Sequence, residues 1–296
     1  MMYFDYIIAG LRLRTDKDLV EVGIRGFKPF ATEVEGEADC TITCVDSIDV
    51  DSLGVHRELS TSYVAEADAN SSFSRTETGY LYSIKRNLPD SQMVHFHIDR
   101  DSGRVITDIK ATDQIDVSIM RFGIWVMFGV VLSAHDAIAI HSTTIVADGR
   151  CVLFLGESGT GKSTHTRLWR ENIEGAKLLN DDSPIIRVTE EGVRVYGSPW
   201  SGKTPCYKNE NYPVAALCRL AQAPKNKIFR LNTIFAIGAL LPSCPPIFAH
   251  DEYLQDHICR TLDNVISTTP IFRLECLPDA DAAQMSYLET IVLTKR

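Results

Sequence analysis

Residues 137–164 read AIAIHSTTIVADGRCVLFLGESGTGKST. Two apolar, β-branched runs, 137–147 and 150–155, flank Asp148-Gly149, the strongest short signal for a two-residue hairpin. With Asp148 and Gly149 as the loop, Ala147 faces Arg150. Counting back along both strands then sets His141 opposite Gly156. Residues 156–163, GESGTGKS, fit G-x-x-x-x-G-K-[ST]. They follow a strand and precede a predicted helix at 163–170, the context a phosphate-binding loop requires. Glycines let such a loop turn its N–H groups inward, and the helix N-terminus adds partial positive charge. The expected phosphate contacts come from Gly156, Glu157, Ser158, Gly159, Thr160, Gly161, Lys162, Ser163 and Thr164. Lys162 reaches for the β- and γ-phosphates, and the Ser163 hydroxyl is a ligand for Mg²⁺.

Working outward, a short strand is expected at 177–179, followed by Asp181 and Asp182, 18 and 19 residues beyond Ser163. Adjacent carboxylates repel unless a cation is near. Beside a phosphate loop, one carboxylate can hold Mg²⁺ while the other accepts a proton from an attacking hydroxyl. The competing reading is a turn, because Asn180-Asp181-Asp182-Ser183-Pro184 is also good turn chemistry. His141, brought to the loop mouth by register, can orient the base or share its proton. A further hairpin is expected from 185–188 with 193–196. The stretch 197–204, GSPWSGKT, reads as a functional loop, in which Lys203 contacts phosphate and Trp200 covers the site. Arg219, Arg230 and Arg260 are further candidates for phosphate or substrate.

The first 112 residues are strand-rich, with alternating runs at 41–45, 79–84 and 94–98 between Gly, Asp, Asn and Pro turns. They carry no chemical motif. His95 and His97 share one strand face and read as ordinary strand residues. Residues 115–134 read as a buried helix joining the two halves. Their uncharged apolar run, 122–134, is shorter than the ~20 residues of a membrane span. The domains expected are therefore 1–112 and 113–296. A net charge of −9 argues against a nucleic-acid surface, which needs clustered Lys and Arg. The N-terminus has no signal-peptide pattern. The eight cysteines are scattered and read as buried thiols. The expectation is a cytoplasmic protein with neither membrane nor nucleic-acid partners.

From His141 to Asp182 the order of features resembles the HPr kinase/phosphorylase family, in particular the HPr-kinase-like proteins of bacteria. It resembles ATP-dependent phosphoenolpyruvate carboxykinases more loosely. A strand histidine, a hairpin, a G-x-S-G-x-G-K-[ST] loop and an Asp-Asp pair carry that resemblance; the carboxykinases share the core at 158–162. The resemblance implies an α/β chain of mixed α+β type, with a carboxykinase-like P-loop core and a β-rich N-terminal region. It also implies ATP and Mg²⁺, with Asp181 as base, His141 beside it and Asp182 toward the metal. Residues 1–112 do not look like the family's N-terminal domain, and after the aspartates 197–204 does not match its later glycine-rich signature. The expected activity is transfer of the γ-phosphoryl group of ATP to a hydroxyl of a protein, peptide or small molecule. The alternatives are a nucleotide-binding module and carboxykinase-type lyase chemistry.

Overall fold

The alternating runs of the first hundred residues become one nine-stranded mixed sheet. Its strands are β1 (Phe4–Ile8), β2 (Leu11–Thr15), β3 (Ala31–Thr32), β4 (Cys40–Cys44), β5 (Arg57–Val64), β6 (Ala69–Arg75), β7 (Gly79–Arg86), β8 (Met93–Asp99) and β9 (Arg104–Thr107), ordered β3-β1-β2-β4-β9-β8-β7-β6-β5. Helix α1 (Gln114–Ala134) packs on β7 and β8. Its Gly123 lies against the Phe96 ring so closely that a Cβ would sit 2.3 Å from a ring carbon. Only glycine admits that approach. Among the described residues, Val117–Ala134 is the one helical stretch long and apolar enough to cross a membrane, and 67% of it is buried inside the protein. A core helix passes the same test, and the burial matches the sequence expectation. His95 and His97 hydrogen-bond Ser83 (2.8 Å) and Thr76 (3.1 Å) within the sheet.

The computed structural model describes residues 2–110, 114–202 and 204–295. It divides into two units, Met1–Ala134 with Pro246–Gln255 and His135–Pro245 with Asp256–Arg296. The boundary expected at residue 112 lies outside the described residues, and compactness places α1 with the first unit.

The second unit carries another nine-stranded mixed sheet. In chain order the unit comprises β10 (Ala137–Ala139), β11 (Ser142–Ala147), β12 (Arg150–Leu155), α2 (Lys162–Asn172), β13 (Lys177–Asp182), β14 (Ile185–Thr189), β15 (Gly192–Tyr196), β16 (Asn211–Gln222), β17 (Lys227–Arg230), α3 (Thr233–Leu240), α4 (Glu252–Thr268) from Asp256 onward, β18 (Ile271–Cys276) and α5 (Ala280–Tyr287). The path is β10-β14-β15-β16-β12-β11-β13, with β18 on β16 and β17 on β18. β12, β16 and β18 run parallel. The chain is thus a mixed α and β protein with two large mixed sheets.

The β11–β12 register is Ala147↔Arg150 through Ser142↔Leu155, as the hairpin count requires. Asp148 and Gly149 both have positive φ, 50° and 71°, the conformation of a type I′ turn. Two sequence expectations need correction. The run 137–147 is not one strand: it breaks at Ile140-His141, where Ile140 N–H donates to Pro184 O and His141 N–H to Ser243 O. And β13 extends through Asp182 rather than stopping at 179, so both aspartates belong to a strand end paired with β11. All eight cysteines are free, and five are buried.

Helix α2 buries Leu168 and Trp169 against Phe154, Ile145 and Cys218 of the sheet. Full burial of each large apolar side chain contributes roughly 1.5–3 kcal/mol, which fixes the helix start where the glycine loop ends. His165 is a buried residue of the same helix. Its ring meets Phe154 edge-on at 4.6 Å, and its Nε2 lies 3.0 Å from Ser286 Oγ. Burial pushes its pKa down from 6.5 to about 4. The folded state therefore keeps His165 neutral where the unfolded chain protonates it, and stability falls as pH drops from 6.5 toward about 4. A non-titrating His165→Gln variant is expected to flatten the urea-unfolding free energy by about 1.4 kcal/mol per pH unit within that window. Identical pH slopes for variant and wild type would contradict this.

Candidate functional site

The glycine loop leaves β12 and enters α2. Gly156, Gly159 and Gly161 all have positive φ, at 150°, 84° and 102°. A Cβ on Gly159 or Gly161 would meet nothing within 4 Å. These glycines serve backbone direction, and the space beside them is open. Thr160 N–H and Oγ1 both donate to Glu157 O, at 3.2 and 2.8 Å, which closes the turn. Gly161 caps α2 with no side-chain bond, and the first helical turn holds no acidic residue. Its N–H groups and the helix dipole therefore remain available to an anion. Ser163 is exposed in that first turn, with Thr164 half-buried beside it. Glu157 and Ser158 are exposed at the loop tip.

Three side chains form a chain across the loop mouth. Lys162 Nζ lies 3.0 Å from His141 Nε2, and His141 Nδ1 lies 3.1 Å from Asp182 Oδ1. An ionised carboxylate only accepts and an ammonium only donates. Both contacts are satisfied by one neutral tautomer, in which Nδ1–H donates to Asp182 and Nε2 accepts from Lys162. Lys162 Nζ also donates to Gly156 O (2.6 Å) and Glu157 O (3.1 Å). Burial holds its pKa below the ordinary 10.5, while the carboxylates of Asp182 and Asp181 pull the other way and Arg219 adds to the lowering.

The resemblance implied His141 beside Asp181; the ring instead meets Asp182. Asp181 is 6% exposed and accepts from Thr143 Oγ1 at 2.8 Å, whereas the Asp182 side chain is 46% exposed. Asp182 has φ 114°, a conformation L-residues rarely adopt. Backbone strain of this kind costs about 1–3 kcal/mol and collects at functional sites. Here it breaks the pleat at the residue whose carboxylate meets His141.

The 197–204 stretch is strapped to β13 rather than hanging over the site. Asn180 Nδ2 donates to Trp200 O at 3.0 Å, Ser198 Oγ donates to Ser183 O at 2.6 Å, and Gly202 N–H donates to Asp181 O at 2.6 Å. Trp200 is buried at 4%, so it anchors this loop instead of covering the site as expected. Lys203 lies outside the described residues. Asn180, read from sequence as turn chemistry, is the fully buried post that ties the strap.

Sequence reasoning also missed Thr143 and Gln222, whose Nε2 donates to Gly159 O at 3.1 Å. The hairpin count places Thr143 on its strand, but β13 pairs with β11 from far along the chain and no local signal announces it. Of the three arginines left open, Arg219 adjoins the loop: Nη2 lies 3.9 Å from Glu157 Oε1, and Nη1 donates to Ala239 O. Arg230 and Arg260 are exposed on β17 and α4.

The residues present suit a triphosphate with Mg²⁺. The loop offers an open cradle at its glycines, a lysine at its root and a hydroxyl in the first helical turn. Among the described residues, no group of three or more His, Cys, Asp or Glu is gathered for a metal. Mg²⁺ needs none, since it keeps waters and uses one or two carboxylates together with phosphate oxygens. No protein-family model matches this chain, and no curated protein matches it.

Proposed function

We propose that this protein is an ATP-dependent phosphotransferase that moves the γ-phosphoryl group to a hydroxyl, working on the residue pattern that resembles the HPr-kinase-like proteins and their carboxykinase-like P-loop core. The observation that carries the reading is the chain Lys162–His141–Asp182 at the mouth of a glycine loop. Nucleotide binding alone needs the lysine, but it does not need a histidine–carboxylate pair 3.1 Å apart beside it. A cytoplasmic location accompanies this proposal.

In this reading the loop N–H groups and the start of α2 hold the phosphates, and Lys162 turns from Gly156 O and Glu157 O to the β- and γ-oxygens. Ser163 and Asp181 are the residues assigned to Mg²⁺, which when bound draws charge from those oxygens. The acceptor oxygen bonds to γ-phosphorus as the bond to the β–γ bridging oxygen breaks, ADP departs, and the acceptor's proton passes to the carboxylate of Asp182. A base must be open to the acceptor. Exposure and the His141 contact favour Asp182 for that task, reversing the role the resemblance gave to Asp181. His141 holds the carboxylate in place.

A pH prediction follows from Lys162. Bound phosphate favours the ammonium and raises its lowered pKa, so binding takes up a proton on the alkaline side. Affinity for Mg·ATP is expected to fall as pH rises through the lowered pKa of Lys162. Calorimetry in buffers of different ionisation enthalpy reads the proton uptake. Proton release, or an affinity flat across that range, would contradict it. The reading itself is tested by whether label moves from γ-labelled ATP to any acceptor.

A further inference from the structure

Helix α3, TIFAIGAL, holds no charged residue, yet much of it faces solvent. Ile234 is 80% and Phe235 66% exposed, with Ile237 and Leu241 exposed beside them. At 3.6 residues per turn these four share one broad face with Gly238, while Ala236, Ala239 and Leu240 face inward. A surface helix normally carries polar residues there. The face is therefore built to be covered.

Charge says what kind of partner covers it. The chain has 39 acidic residues, but from Asn211 to His250 it has no Asp or Glu. Within that span Lys225, Lys227 and Arg230 are exposed on β17 and its entry turn, and Arg230 stands just before the Asn232 cap of α3. Glu275 stands across from Lys227 but is paired with Arg273, so in a protein of net charge −9 this stretch is a local basic excess next to an apolar helix. The outer edge of β17, which among the described residues pairs only with β18, adds main-chain groups that an extended segment can bond.

Position says what the partner is for. The C-terminal end of α3 is tied to the glycine loop through Arg219, which donates to Ala239 O and lies near Glu157. The turn after it is tied to the proposed catalytic histidine, because His141 N–H donates to Ser243 O at 2.8 Å. The C-terminal end of α3 is thus bonded to residues that flank the glycine loop and His141.

We infer that α3 and β17 form the docking surface for the phosphoryl acceptor, and that the acceptor is a peptide or protein segment with apolar side chains flanked by carboxylates. The inference rests on the proposed transferase reading and names its substrate class. An anionic membrane or a second copy of this chain are the competing occupants.

The test uses the full chain and an array of synthetic serine peptides in which apolar residues are paired with Asp/Glu, with Lys/Arg, or with neither. Binding to the array is read separately from transfer of label from γ-labelled ATP. The acidic-apolar peptides are expected to bind best, and Phe235→Glu and Ile234→Glu are expected to weaken that binding roughly 10- to 100-fold, the range of an interface hot spot. Mg·ATP affinity should be unchanged in both variants. In transfer assays the loss should appear in KM more than in kcat. If wild type binds acidic-apolar peptides in a Phe235-dependent way but never phosphorylates them, the docking surface stands and the transferase reading falls. Three results overturn the docking inference while leaving the transferase reading intact. One is transfer to small hydroxyl compounds with no peptide bound. Another is peptide binding indifferent to both variants. The third is the apolar face mediating only dimerisation, or only sedimentation with phosphatidylserine vesicles, each lost in Phe235→Glu.

Discussion

Lys162→Ala is expected to weaken Mg·ATP binding by roughly 10²–10³-fold, the cost of leaving a desolvated phosphate charge without its cation. Lys162 already lies half-buried at the loop root, with its ammonium among two carbonyls and His141. Among the described residues, no other cation is recorded donating to the loop's carbonyls, and Arg219 lies 3.9 Å from the Glu157 side chain. Alanine also removes three hydrogen bonds that steady the loop, so Lys162→Met, which keeps much of the stem, separates lost charge from lost packing. Both variants should remain folded, and both should lose the nucleotide. Titration calorimetry with Mg²⁺ reads the affinity. Equal ATP affinity in wild type and variants would remove the phosphate-loop reading, whatever the sequence pattern.

The second large effect separates two neighbouring carboxylates. Asp182→Asn is expected to leave Mg·ATP binding nearly intact and to lower transfer by roughly 10²–10⁴-fold, the usual contribution of a positioned base. The amide cannot take the acceptor's proton, although it can still accept from His141 Nδ1–H. Asp181→Asn should instead weaken Mg²⁺-dependent binding, because Asp181, held by Thr143, is the carboxylate proposed to face the metal. Should the two signatures come out exchanged, the base returns to Asp181 and the site survives. Should both variants retain full transfer, the pair is only a strand terminus.

The hairpin, the loop and the position of His141 were legible because each rests on local chemistry. Asp-Gly sets a two-residue turn, the turn sets register as far as Ser142 and Leu155, and His141 follows at the loop mouth, where Lys162 meets both its ring and Gly156 O. The second carboxylate contact was legible only as a pair of possibilities. Which aspartate meets His141 depends on the pairing of β13 with β11 and on the φ of Asp182, and neither is written in the local sequence. The strand break at Ile140-His141 was hidden for the same reason: the residues that bond the two peptide N–H groups, Pro184 and Ser243, come from elsewhere in the chain. Trp200 was misread because Gly, Ser and Pro around a Trp look alike in a lid and in a strapped turn. The distinguishing residue is Asn180, twenty positions earlier. The exposed face of α3 is plain in the structure but not in the sequence, where TIFAIGAL holds no charged residue to mark which side meets solvent.

The most direct test of the account is the fate of the γ-phosphate. The purified full chain is incubated with Mg²⁺, γ-labelled ATP and an extract of the cells that make it, alongside Lys162→Ala and Asp182→Asn. The account predicts that label passes from ATP to an acceptor as a phosphate ester on a hydroxyl, that Lys162→Ala transfers none, and that Asp182→Asn binds ATP but transfers roughly 10²–10⁴-fold more slowly. A wild-type chain that binds Mg·ATP yet moves no label to any acceptor would contradict the account and leave a nucleotide-binding module in its place.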